Sequence, residues 1–355
     1  MPLHICVQRG DEVSEVETHH YRKARRITMV ALLLLLLIVA LFLVGMIIGS
    51  VYIPPGALLN PTGPQREILS LIRLPEAVGA IIIGIDLAFA GAVMQSIFRN
   101  PLADPYITGT ASGAVLGTVG GIYVGAFISQ LRNLTIFLQP LLGFMGSLAA
   151  TALVIILGRR RFWLTLILAG IAVSIFLSAL VTIAESYLLI SSPSSFSIFL
   201  LLFGSLGSLN WDYDIIIIAS SLPVLIFLAL SARKLNVVMM GDELAQSTGI
   251  NAGSFRAAML LGAALLTSVS LSFTGMIGFV GLIAPHIARL LLRDSDNAVV
   301  LPVCGLVGAA LLLLANSLSK ALIPETVIPI TAVTSLIGAP LLIYLVKRGG
   351  YSGKA

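Results

Sequence analysis

The chain has 355 residues, 58% of them hydrophobic and only 10% charged, with a mean hydropathy of +1.04 and a net charge of +5. Soluble domains carry about 25% charged residues, so this composition excludes a water-covered surface and leaves no length for a separate soluble catalytic domain. The positive charge fits membrane topology rather than nucleic acid, and the two cysteines, Cys6 and Cys304, are too far apart in setting for a disulfide to be expected.

A helix needs about 20 apolar residues to cross a bilayer. Residues 1–26 hold Asp11, Glu12, Glu15 and Glu17, and the apolar run beyond Arg26 is longer than a signal-peptide core. The run therefore reads as a first transmembrane helix that stays attached. Spans are expected near 28–50, 77–98, 106–127, 135–157, 163–188, 213–231, 255–273, 277–292, 298–319 and 328–346. The eighth is short and ends in His286, Arg289 and Arg293. Ser191–Leu209, rich in Ser and Gly, reads as a half-helix and loop on the outer face, buried against protein rather than lipid. With the N-terminus in the cytoplasm, all but four of the 21 Lys and Arg fall on the cytoplasmic side. The exceptions are Arg66, Arg73, Arg132 and Lys320, and this bias sets the orientation. The expected organisation is a cytoplasmic segment 1–26, a transmembrane domain 27–348 with a cytoplasmic stretch 233–255, and a cytoplasmic tail 349–355. The fold class is an all-α polytopic membrane protein of about ten transmembrane helices, multi-pass in the cell membrane, with both termini cytoplasmic.

Several local patterns carry more detail. Gly109, Gly113 and Gly117 form a small-residue stripe that lets helix backbones approach, either inside one subunit or at a dimer face. Within 233–255, Gly241 to Gly249 reads as a short helix capped by Asp242 and closed by Gly249. It is either a helix lying along the membrane to receive a push from a cytoplasmic partner, or an ordered loop. Asp86 sits mid-span, where an acid costs about 2.5–3.5 kcal/mol to insert. It either faces the translocation path and a cationic part of a substrate, or is hydrogen-bonded among helices. His286 has no second His or Cys at ligand spacing, so no metal site is expected and a structural hydrogen bond is the better reading. The chain lacks a G-x-x-x-x-G-K-[ST] phosphate loop and cannot hydrolyse ATP by itself.

Arg73-Leu74-Pro75 opens the second span, Gly91-Ala92-Val93-Met94-Gln95 closes it, and Asn100-Pro101-Leu102-Ala103-Asp104-Pro105 turns the chain into the third. Gly278-Phe279-Val280-Gly281-Leu282-Ile283-Ala284-Pro285-His286-Ile287-Ala288-Arg289 and Gly338-Ala339-Pro340 follow. In this order and spacing, over roughly residues 66–346, the chain resembles the FecCD-type permeases of ATP-binding-cassette (ABC) importers. That group moves vitamin B12, haem, iron–siderophores and, in some members, molybdate.

The resemblance implies the ABC type II importer permease fold and a pair of permease subunits, expected to be a homodimer, around a central path. It also implies two cytoplasmic ATPase subunits that hold ATP and Mg, and a substrate-binding protein outside. No cofactor is expected on this chain. By the same resemblance Gly241, Asp242, Glu243, Ala245 and Gly249 match the coupling helix, and Asn100 and Leu102 match the turn that narrows the cytoplasmic end of the path. Arg73 and Lys320 match basic positions that dock the binding protein, with snorkelling toward headgroups as the other reading of Arg73. Asp86 and Gln95 are the candidates for the path.

Departures from the family pattern cluster on the outer face. Glu76 stands where a second basic residue is usual, suggesting altered docking or an internal Glu76–Arg73 pair. Lys320 replaces an arginine, Asn316 an acid, and Thr331 a common glycine. Two other classes compete: an ion-coupled transporter using Asp86 and Glu185, and an intramembrane enzyme. The first has few mid-membrane acids to work with, and the second lacks a nucleophile–base pair or metal cluster.

Overall fold

The computed structural model describes residues 3–49, 51–127, 135–158, 163–191, 203–322 and 328–347, and all regular structure among them is helical. Helix α1 (Leu3–Ile47) carries the first apolar span over Tyr21–Ile47. After a short α2 (Pro55–Leu59), α3 runs from Pro64 to Phe98 through a widened π-turn at Ile68–Arg73. A 3-10 turn (Pro105–Thr108) leads into α4 (Thr110–Phe127), α5 (Thr135–Gly158) and α6 (Trp163–Ser191). Helix α7 (Trp211–Leu230) continues into α8 (Ala232–Met240) and α9 (Asp242–Ser247). The chain ends with α10 (Ala252–Thr274), α11 (Val280–Leu292), α12 (Asn297–Ala321) and α13 (Ile330–Lys347). Seven of these helices are long and apolar enough to cross a membrane, and α4, α11 and α13 add three shorter apolar segments. Together they occupy the ten expected places. Of the half-helix expected at Ser191–Leu209, residues 192–202 lie outside the described residues, as do Arg132, the cluster Arg159–Arg161, Glu325 and the tail 349–355.

Burial separates a core from a rim. The apolar windows of α3, α10 and α12 are 78%, 72% and 67% buried, those of α1 and α6 only 22% and 17%. The first three are therefore central, and the second pair face outward. Small residues make the central contacts possible. A Cβ on Gly84 or Gly308 would overlap the backbone of the other, so α3 and α12 cross in direct backbone contact. Gly113 and Gly117 of α4 meet Gly146, Leu142 and Gly143 of α5 in the same way. The Gly113–Gly117 part of the stripe thus packs within the subunit. Such close approach replaces the hydrophobic driving force that lipid cannot supply.

The shortness of α11 has a structural cause. Between α10 and α11 the chain unwinds over Gly275–Phe279. Unwound backbone at this position needs partners from the protein. The Tyr106 hydroxyl donates to Ile277 O (2.5 Å) and accepts from Ile277 N (2.9 Å). Thr331 Oγ1 donates to Met276 O (2.5 Å) and accepts from Gly278 N (3.3 Å). Ser205 N donates to Thr274 O (2.8 Å). Thr331, a departure from the family pattern, therefore has a role of its own in closing the break.

Candidate coupling and translocation site

One end of the bundle gathers the basic residues of several elements. Lys23 of α1 pairs with Asp294 (2.6 Å), Arg26 donates to Leu291 O (2.9 Å), and Arg99 donates to Val238 O (3.1 Å). Helices α8 and α9 lie at this end. Ala245 is fully buried and packs with Val238 and Ala252. The opposite face of α9 leaves Asp242, Glu243 and Leu244 exposed, and Met240 just before it is 74% exposed.

Glycine fixes both ends of α9. Gly241 has φ 148°, ψ 158°, a region essentially reserved for glycine, although the space beside it is open. Gly249 has φ 78°; it donates to Gln246 O (2.9 Å), and Ile250 N donates to Ala245 O (2.8 Å). This closes the helix with a left-handed cap. With Gly241 in the cap position, Asp242 is the first residue of α9 and not the cap expected of it. Its carboxylate instead takes both guanidinium nitrogens of Arg256 on α10, at 2.5 and 3.1 Å. That fork ties α9 to the start of a membrane-crossing helix, and the Arg256 hydrogen bond holds the Asp242 carboxyl below its usual range. An open groove of about 370 Å³ beside the fork is lined by Asp242, Gln246, Asn251 and Gly253, among others.

The turn after α3 lies at the same end. Arg99 stops α3 in the left-handed conformation, with φ 45°. Asn100 Oδ1 accepts from Leu102 N (2.9 Å), and Asn100 O accepts from Ala103 N (3.0 Å). Asn100 thus shapes the turn, while Leu102, 40% exposed, projects from it.

Neither candidate for the path faces open space in this subunit. Gln95 is buried; its Nε2 donates to Leu282 O (3.1 Å) and its Oε1 accepts from Arg289 (2.7 Å), joining α3 to α11. Asp86 is fully buried, and its Oδ2 accepts from Ser221 on α7 (2.7 Å) and Ser270 on α10 (3.3 Å). Its Oδ1 has no partner among the described residues. Of the two sequence readings, the geometry agrees with hydrogen bonding among helices. Polarity was visible in the sequence, but the direction of the side chain was not.

At the other end, Arg73 and Lys320, matched to docking, and Glu76, the departure beside them, are tied inward. Arg73 is buried, with its guanidinium donating to the carbonyls of Met46 and Val51. Glu76 is buried and ion-paired with Lys320 of α12, not with Arg73 as the three-residue spacing suggested. The burial of Arg73 and Glu76 counts against reading them as exposed charge. Arg66, two residues before the π-segment, is the exposed cation on this stretch of α3.

His286 Nδ1 lies 2.9 Å from Leu282 O, one helical turn back, which is the structural hydrogen bond expected for it. Among the described residues no three His, Cys, Asp or Glu side chains cluster as metal ligands would. Sequence reading missed Arg289 and Tyr106 as partners because each meets its mate across the fold, and Arg256 because its mate Asp242 lies on a separate short helix. It also missed Asp214, which is buried in the first turn of α7 with neither carboxylate oxygen partnered among the described residues.

Among the described residues, ten apolar helices, seven of them long enough to cross a membrane, carry a short helix with one exposed face at their basic end, which defines an integral membrane protein. The chain belongs to the FecCD transport family, whose model matches residues 35–348. It is 33% identical over 334 residues to the Fe(3+)-citrate import system permease protein YfmE of Bacillus subtilis, covering 92% of this chain and 97% of that one. It is 32% identical over 303 residues to the vitamin B12 import system permease protein BtuC of Escherichia coli O127:H6, covering 85% and 90%. A solved inward-facing metal-chelate type ABC transporter superposes with a TM-score of 0.77 at 29% identity, covering 89% of this chain and 97% of that one. The protein is therefore a multi-pass ABC importer permease of the FecCD family.

Proposed function

We propose that this chain moves a metal chelate of the iron–siderophore, haem or cobalamin class inward across the cell membrane, with its basic end in the cytoplasm. A binding protein delivers the cargo to the opposite end. Two copies of the chain enclose the path, and two partner ATPases press on α9 from the cytoplasm. ATP and Mg are held by those partners. The conformational cycle is alternating access, driven by the different affinities of the nucleotide states for the two arrangements of the path.

The observation that carries this reading is α9. It is a rigid, glycine-delimited helix with one buried face and one exposed face, forked to a membrane-crossing helix by Asp242 and Arg256. Leu102 and Asn100 form the gate at the same end. The cargo class is supported by the Fe(3+)-citrate and vitamin B12 systems to which the two relatives belong.

Uptake into proteoliposomes holding the chain with its ATPase and binding-protein partners tests the cargo. Labelled ferric siderophore, haem and cobalamin are compared. Accumulation of one of them is expected. Uptake of molybdate with none of the three would replace the chelate by an oxyanion.

A further inference from the structure

A chain of polar contacts at the basic end runs from α8 to α3 without touching α9 or the gate turn. Asn297, at the start of α12, is buried and uses every polar atom of its side chain. Its Nδ2 donates to Asn236 Oδ1 on α8 (2.8 Å) and to Met239 Sδ (3.2 Å). Its Oδ1 lies 2.9 Å from Ser96 Oγ on α3, whose single hydroxyl proton is shared with Ala92 O (2.8 Å). Asn236 in turn accepts from Asn297 N (3.0 Å) and donates to Asp296 Oδ1 (2.6 Å), the residue that caps α12 through Ala298 N (2.9 Å). A second strand of the link is Arg99, whose guanidinium donates to Val238 O (3.1 Å).

The placement matters more than the number of bonds. Asn236 and Met239 lie on α8, the helix that leads directly into α9 through Gly241. Ser96 lies in the last turn of α3, and its carbonyl accepts from Arg99 N where the helix stops (3.3 Å). Asn100 and Leu102 follow at once. A connected network anchored on the buried Ser96 and Asn297 is costly to break partway, so a displacement at one end moves the other.

We propose that Asn236, Asn297 and Ser96 are positioning residues that carry movement of α9 to the gate turn at Leu102. The Asn297 amide is the central link, so α8, the start of α12 and the end of α3 move together. This rests on the reading of α9 as the coupling helix and of Leu102 as the gate. A physical link of this kind needs an element whose two arrangements both ends sense, and the test follows both ends separately.

The experiment uses the full transporter reconstituted with its partner ATPases, carrying Cys6→Ser and either Leu102→Cys or Leu244→Cys. The labelling rate of the introduced thiol by a maleimide is measured without nucleotide and with ATP and vanadate. In the otherwise unaltered protein both thiols change rate by about fivefold or more between the two states, the scale of a typical coupling. Asn236→Ala, or Ser96→Ala from the other side, leaves the change at position 244 intact and reduces that at 102 to less than twofold. The retained response at 244 shows that the variant folds and assembles. An undiminished response at 102 in both variants overturns the inference. No nucleotide response at 102 in the unaltered background, with a response at 244, overturns the gate assignment on which the inference stands.

Discussion

Glu76 on α3 and Lys320 on α12 form an ion pair inside the subunit, with only 5% and 15% of their side chains exposed. In the sequence they are an acid where the family pattern has a base and a lysine where it has an arginine. In the fold these two departures compensate each other. Breaking a buried pair leaves an uncompensated charge, whereas replacing both partners by apolar groups removes the problem. Lys320→Met alone should lower stability by about 3–5 kcal/mol, and the double variant Glu76→Leu with Lys320→Met should regain most of that. Thermal unfolding in detergent measures both; a double variant no better than the worse single would contradict the pairing.

Asp86 joins α3, α7 and α10 through Ser221 and Ser270. Side-chain hydrogen bonds between membrane helices average about 0.6 kcal/mol and reach about 1.7 kcal/mol. Asp86→Ala should therefore cost on the order of 1–2 kcal/mol of stability and leave the apparent affinity for cargo unchanged. Cargo titration of uptake beside a thermal melt separates the two effects. A changed affinity at unchanged stability would return Asp86 to the translocation path.

The Asp242–Arg256 fork gives a pH prediction. Arg256 holds the Asp242 carboxyl below its ordinary value of 3.8. A depressed acid contributes stability that is present above its unfolded pKa and lost as pH falls through the lower folded one. The Asp242 carboxyl therefore stays ionised throughout pH 5–9, and transport should show no titration due to Asp242 in that range. Asp242→Asn should lower transport per ATP hydrolysed equally at pH 5.5 and pH 8.5. A loss confined to one end of that range would contradict this.

Gly241 and Gly249 have different requirements from the glycines of the core. Nothing lies within 4 Å of a Cβ built on either, so backbone strain alone opposes substitution. Gly241→Ala should cost about 1–3 kcal/mol, borne locally by α9, and should reduce coupling before it reduces global stability. Gly308→Leu drives a side chain into the backbone of Gly84 and should prevent folding. Expression, melting temperature and ATP-driven uptake of the two variants provide the comparison.

The ten helices were legible because a bilayer demands long apolar runs and leaves a basic bias between them. Helix α9 was legible because Gly241 and Gly249 punctuate a short polar segment, although Asp242 does not cap it as expected. Side-chain direction was not. Arg73 reads as an outer cation by sequence position, yet the π-turn at Ile68–Arg73 accompanies its inward course to Met46 and Val51. Gln95 reads as a polar lining residue, yet Arg289, distant in sequence, takes up its amide. The shortness of α11 was visible, but its cause lay in Tyr106 and Thr331, which reach the unwound backbone from other elements. Contacts of this kind depend on helix rotation and crossing angle, which hydrophobic periodicity does not set in helices apolar on every side.

The most direct measurement of the central claim is the energy source of uptake. Proteoliposomes containing the permease, its ATPase partners and its binding protein are loaded with ATP or left empty, and a pH gradient is imposed on a matched set. Accumulation of cargo only with ATP and only with the binding protein, abolished by removing the ATPase, is the predicted result. Accumulation driven by the pH gradient without ATP would contradict the coupling of α9 to an ATPase and make the chain an ion-driven transporter.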